Sequence, residues 1–229
     1  MCTVPYQELI STLMWIAVVL QPDISFTATY LACFNMNPRQ THWKAAKHVL
    51  RYLKGTANYQ LTMGLHLNNL SELITYADLD WGHDTDTHHS VSGYIFLLGK
   101  SAVSWSAKQQ PMVAASPTEA EYMSVSHTAH QGLWLRHLLI ELGLTHLRLD
   151  PTIIYLDNHG TMELAKELCH HNRTKHIDIQ HHFVHERVED GTYKIVHCPT
   201  SQMLADILTK PLHFPTFSIH HDNLGLITS

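Results

Sequence analysis

Leu73-Ile74-Thr75-Tyr76-Ala77-Asp78, with Leu79-Asp80-Trp81 directly behind it, is the stretch from which the fold can be read. Side chains alternate along a strand, so Ile74, Tyr76 and Asp78 take one face and Leu73, Thr75 and Ala77 the other. Both faces are largely apolar, which predicts a strand covered on both sides. The run ends by presenting a carboxylate at the rim of a sheet. Ile153-Ile154-Tyr155-Leu156-Asp157 repeats the pattern. An ionised carboxylate at the end of a buried strand is costly unless it is hydrogen-bonded, paired or bound to a cation. Two such strands in one chain point to aspartates converging on a metal.

Composition sets the frame. A chain of 229 residues has room for one large domain, or a domain with an appendage, and a sizeable core. Hydrophobic content of 45% and charged content of 15% describe a globular protein. The formal charge of −5 gives no global attraction to nucleic acid, so any such binding needs a local basic face. Cys2, Cys33, Cys169 and Cys198 are scattered without a CxxC pair, as expected in a reducing compartment. The most apolar run, Leu9 to Leu20, is too short to span a bilayer and lacks the flanks of a signal peptide. A soluble intracellular protein without membrane contact is expected.

Residues 5 to 54 read as three helices, broken at Pro22 and at Asn37-Pro38, the third running from His42 to Lys54 with Thr41 as N-cap. Lys44, Lys47, Arg51 and Lys54 form a basic stripe on it. Spacing alone favours a solvated helix face over a phosphate-tracking surface. Further on, strands are expected at 59–63, 73–79, 91–98, 102–106, 152–156 and 193–197, and helices at 117–142, 158–169, 177–189 and 201–208. The three strands at 73–79, 91–98 and 102–106, ahead of the long helix at 117–142, predict an antiparallel meander. The later strand–helix alternation adds parallel strands, so the fold class is α/β: a mixed sheet flanked by helices, with an N-terminal helical extension.

Two further carboxylates belong with the aspartates. Ser116-Pro117-Thr118-Glu119 is a capping box, which gives Glu119 a structural role. Glu121 instead heads a stripe at 121, 125, 128, 132, 135 and 139 that should face the sheet. Asp206, in Leu204-Ala205-Asp206-Ile207-Leu208, sits between apolar neighbours near the core. Asp78, Glu121, Asp157 and Asp206 thus fall on strand, helix, strand and helix. Such a set suits two Mg²⁺ ions that clamp the attacking and leaving oxygens of an in-line phosphoryl transfer. Asp80, on the same strand face, is the rival of Asp78, which directly follows the apolar run.

These residues carry a resemblance. Tyr76-Ala77-Asp78-Leu79-Asp80-Trp81, Ser92-Gly93-Tyr94, Val103-Ser104-Trp105-Ser106, Thr118-Glu119-Ala120-Glu121-Tyr122 and Tyr155-Leu156-Asp157-Asn158 match the signatures of one family. Arg173-Thr174-Lys175-His176-Ile177-Asp178 and Leu204-Ala205-Asp206-Ile207-Leu208-Thr209-Lys210 extend the match, as do Pro22-Asp23-Ile24-Ser25 and the helix His42 to Gly55. The chain resembles the C-terminal part of a copia-type retrotransposon Pol polyprotein. Residues 1–58 resemble the end of the reverse transcriptase region, 59–212 a ribonuclease H domain with a five-stranded sheet, and 213–229 a tail. The resemblance implies Mg²⁺-dependent cleavage of the RNA strand of an RNA–DNA hybrid, with Mn²⁺ as a substitute ion. It implies four metal-binding carboxylates at Asp78, Glu121, Asp157 and Asp206, and nucleic-acid contacts from Lys108, Asn158, Arg173, Lys175 and His176. It also implies the rest of a Pol polyprotein as partner, and a cytoplasmic, particle-borne or nuclear setting. No adjacent aspartate pair follows a tyrosine as in a polymerase, so no DNA synthesis is expected.

The 21 histidines fit less easily. His181 and His185 stand at the i, i+4 spacing of zinc ligands, but neither a Cys pair nor HExxH accompanies them. His88-His89, Gln180-His181 and His185 stand where similar domains carry arginine or tyrosine, the mark of a decaying element copy. The competing expectation is therefore a catalytically silent fragment with weak nucleic-acid binding, and a third is another nuclease of the same superfold.

Overall fold

The computed structural model describes residues 4–62, 72–80, 90–110, 117–144, 148–158 and 175–228, leaving the side chains of 117–119, 148–150 and 175–179 aside. Five strands form the central sheet: β2 (Glu72–Asp80), β3 (Val91–Leu98), β4 (Ser101–Gln109), β5 (Arg148–Leu156) and β6 (Tyr193–His197). Their order is β4-β3-β2-β5-β6. β2, β3 and β4 pair antiparallel, while β2, β5 and β6 run parallel. This is the ribonuclease H-like arrangement, with the Asp78 strand at its centre. Gly99 and Lys100 close the β3–β4 hairpin with φ of 60° and 67°, the left-handed geometry of a tight primed turn.

Burial explains why β2 is apolar on both sides. Leu73 and Ala77 pack towards helix α4 (Pro117–Glu141), whose stripe Val125, Thr128, Gly132, Leu135 and Leu139 is buried as its spacing predicted. Ile74 and Tyr76 face the other way, onto Leu204, Ile207 and Leu208 around helix α6 (Asp206–Thr209). Helix α5 (Lys175–Glu189) joins α4 on the first face through Val184, with the Tyr122 hydroxyl donating to the His181 carbonyl at 3.2 Å.

The N-terminal helices α1 (Tyr6–Val19), α2 (Ser25–Ala32) and α3 (Gln40–Gly55) have their own core of Tyr6, Ile10, Leu13, Ile24, Leu31 and Val49. They lean on the edge strand β4: Trp105 Nε1 donates to the Ala17 carbonyl at 2.7 Å, and Thr29 Oγ1 to the Ala107 carbonyl at 3.1 Å. α3 begins two residues ahead of the expected start because the His42 ring accepts the Arg39 N–H at 3.1 Å, so Thr41 is not the cap. Its basic stripe is exposed. Among the described residues no helix is long and apolar enough to cross a membrane.

Two local expectations change. The segment 213–229, read as a tail, holds helix α7 (Phe214–Asn223) and strand β7 (Leu226–Thr228), which pairs antiparallel with β1 (Tyr59–Leu61). Leu224 and Leu226 are buried against Ile95 and Ala102, so hydrophobic burial holds this segment down. The helix expected over 201–208 is split into a 3-10 turn at Thr200–Gln202 and the short α6, which begins only at Asp206. The helix expected at 158–169 lies outside the described residues.

Candidate active site

Equal offsets bring the two strand aspartates to one rim. β2 and β5 are parallel with Tyr76 opposite Tyr155, and in each strand an aspartate follows two residues later. Asp78 is 6% exposed. Opposite it on β3 stands Gly93, where a Cβ would come within 2.7 Å of Thr209 Cγ2 and 2.9 Å of Leu208 Cβ. Glycine at this position lets α6 settle onto the sheet beside Asp78. The Thr209 hydroxyl then donates to Asp78 Oδ2.

Asp206, the first residue of α6, is 5% exposed and enters from the same side. Lys210 Nζ joins the two aspartates, 3.4 Å from Asp78 Oδ2 and 2.9 Å from Asp206 Oδ1. Burial, then the charge of Asp78, push the Asp206 carboxyl up to about 7 against the pull of Lys210.

Asp78 also lines a recess of about 10 Å³, roughly one water-sized species, together with Glu121, Ser124, Asp157 and Asn158. Each acidic side chain there is held. Asn158 Nδ2 donates to Glu121 Oε1 at 2.8 Å, and Thr200 Oγ1 to Asp157 Oδ2 at 3.2 Å. Ser124 Oγ donates to the Asp78 carbonyl at 3.3 Å. Asp78 therefore belongs to two half-sites, one with Glu121 and Asp157 and one with Asp206 and Lys210.

The donor set is made of hard, acceptor-only oxygens, which fits Mg²⁺ or Mn²⁺ rather than a soft ion. Among the described residues no three His, Cys, Asp or Glu side chains close on a common point tightly enough to hold a metal. The donor chemistry fits a dication, and two of the carboxylates, Asp78 and Asp206, hold the Lys210 ammonium.

The other sequence candidates spread differently. Asn158 holds Glu121 in place, while Lys108 is exposed on β4. Lys175 and His176 open α5; their side chains, Arg173 and the Ser116–Glu119 capping box lie outside the description. His181 is buried with its ring stacked on Tyr122 at 4.7 Å, whereas the His185 ring lies 3.9 Å from Glu189. Sequence reasoning passed over Thr209, Lys210, Thr200 and the role of Gly93. Lys210 carried a signal, since it stands four residues after Asp206. Thr200 and Gly93 carried none, because their partners are remote in sequence.

No protein-family model matches the chain. Individual proteins do. It is 39% identical over 224 residues to the retrovirus-related Pol polyprotein from transposon RE2 of Arabidopsis thaliana, covering 97% of this chain and 15% of that protein. It is 35% identical over 226 residues to the corresponding polyprotein from transposon TNT 1-94 of Nicotiana tabacum, covering 99% of this chain and 17% of that one. LC11-RNase H1, isolated from compost, superposes with a TM-score of 0.46 at 13% identity, over 61% of this chain and 93% of its own. The chain spans less than a fifth of the polyproteins it matches, and the match runs through both the helical extension and the sheet. Along nearly its whole length the chain is homologous to a segment of retrovirus-related Pol polyproteins of copia-type transposons, and it has a ribonuclease H-like fold.

Proposed function

We propose that the chain is the ribonuclease H part of such a polyprotein and hydrolyses the RNA strand of an RNA–DNA hybrid during reverse transcription, in a particle or in the nucleus. The observation that carries this reading is the placement of Asp78 on the central strand, shared between a half-site with Glu121 and Asp157 and one with Asp206. Asp78, Glu121, Asp157 and Asp206 would hold two Mg²⁺, with Mn²⁺ as substitute. Bound there, the ions supply an activated water and charge neutralisation at the phosphate. The chain's own side chains orient the ligands: Thr209 fixes one oxygen of Asp78, Asn158 fixes Glu121 and Thr200 fixes Asp157. Lys108, Arg173, Lys175 and His176 are the proposed contacts to the hybrid.

The test is cleavage of a hybrid, a double-stranded RNA and a single-stranded DNA in Mg²⁺. Hybrid-selective cleavage is expected, with Asp78→Asn lowering it at least about 100-fold. Full activity in Asp78→Asn overturns the assignment of the shared ligand. Cleavage of none of the three supports the second reading, a silent element copy, which the many histidines and the ammonium seated between two of the carboxylates favour.

A further inference from the structure

Lys210 reaches the site from the C-terminal end of α6. Its ammonium touches one oxygen of Asp78 and one of Asp206, two carboxylates that are both more than nine-tenths buried. Like charges packed this closely repel strongly away from water, so one of them must be neutralised or share a cation. The Lys210 ammonium supplies that cation. The same side chain also lines a neighbouring groove of about 630 Å³, walled by Phe26, Tyr52, Phe214 and Phe217. Lys210 is 28% exposed, so its flexible stem has a second place to lie along that groove.

We propose that Lys210 is a built-in counter-cation of this site: its ammonium keeps Asp78 and Asp206 together and competes with a divalent ion for their oxygens. The inference rests on the reading of the carboxylates as metal ligands. It makes two effects of Lys210 oppose each other. The side chain stabilises the folded protein before metal arrives, and it weakens metal capture until it moves to the groove. The seat is filled by residue 210 because α6 is a single turn, which puts a side chain four positions on directly over Asp206.

The experiment is a calorimetric titration of the whole chain with Mg²⁺ and with Mn²⁺, paired with thermal melts, for the wild type, Lys210→Met and Lys210→Arg. Lys210→Met should bind the ions on the order of tenfold more tightly, since one positive charge has left a poorly solvated site. It should also melt lower than the wild type without added metal and gain more from saturating metal. Lys210→Arg retains the charge and should bind the ions no more tightly than the wild type, which keeps the test decisive if the methionine variant fails to fold. Equal or weaker binding by Lys210→Met overturns the proposal while leaving the metal-ligand reading intact. Tighter binding by Lys210→Arg also overturns it. No saturable binding by any of the three proteins overturns both.

Discussion

Asp23 and Asp78 are buried alike, 5% and 6% exposed, and each accepts a hydrogen bond from a hydroxyl, Tyr52 for one and Thr209 for the other. Their regions use that carboxylate differently. In the helical extension, Asp23 lies at the turn before α2 and ties it to α3 through Tyr52, with no lysine or arginine paired to it in the described structure. Burial raises its affinity for a proton, and the Tyr52 bond, the His221 charge and the local backbone only partly offset this. In the sheet, Asp78 has Asp206 and Lys210 within its reach and lines a recess with Glu121 and Asp157. The contrast teaches that burial alone does not mark a functional carboxylate. A lone buried aspartate with a phenol is a cross-link, whereas one set among other carboxylates and a cation is the candidate ligand of the proposed metal site.

The sharpest way to break this contrast is at Gly93. Gly93→Ala pushes a methyl into Leu208 and Thr209, so it should cost about 1–3 kcal/mol and displace the α6 side of the site. Denaturant unfolding with and without Mg²⁺ measures both effects. A variant as stable as the wild type with unaltered metal binding would show that α6 is not seated by this contact.

Next comes the cross-link. Tyr52→Phe leaves Asp23 without its phenol in a buried place and should cost about 1–3 kcal/mol, with no change in metal affinity. Asp23→Asn keeps an acceptor for Tyr52 and removes the buried charge, so it should cost less. If Tyr52→Phe instead altered metal binding, the two regions would be coupled and the contrast would fail.

A pH test separates the regions further. His220 on α7 is 1% exposed, neither ring nitrogen has a hydrogen-bond partner among the described residues, and burial, with help from Lys210, lowers its pKa below 6.5. The unfolded chain then takes up a proton that the folded chain resists, so stability is present above 6.5 and is lost as pH falls from there towards the folded pKa. The slope is at most about 1.4 kcal/mol per pH unit for this one group. His220→Leu should flatten the wild-type loss between pH 6.5 and 5 in urea melts. An unchanged slope would sink the assignment.

The smallest effect separates the two glutamates. Glu119→Ala should cost roughly 0.5–1 kcal/mol through the lost capping box and leave cleavage alone, while Glu121→Ala should abolish cleavage at little cost in stability. Mg²⁺-dependent cleavage that follows Glu119 would reverse the reading.

The sequence by itself determined what is periodic or contiguous. The alternation in 73–78 predicted a two-sided strand, and Leu73 and Ala77 do face α4 while Ile74 and Tyr76 face α6. The stripe from Glu121 to Leu139 predicted the sheet-facing side of α4, because a helix repeats its face every three to four residues. Strand-end aspartates were legible for the same local reason. The tertiary structure alone decided the rest. Gly93 reads as an ordinary strand glycine until α6 arrives above it, and Thr200 has no meaning until Asp157 is its neighbour. The last residues looked like a tail because Phe214 to Thr228 has no long period, yet Leu224 and Leu226 are buried in one cluster with Ile95 and Ala102, over a hundred positions earlier. Local propensity and spacing act along the chain, whereas close approach, ion pairing and burial depend on which distant residues the sheet brings together.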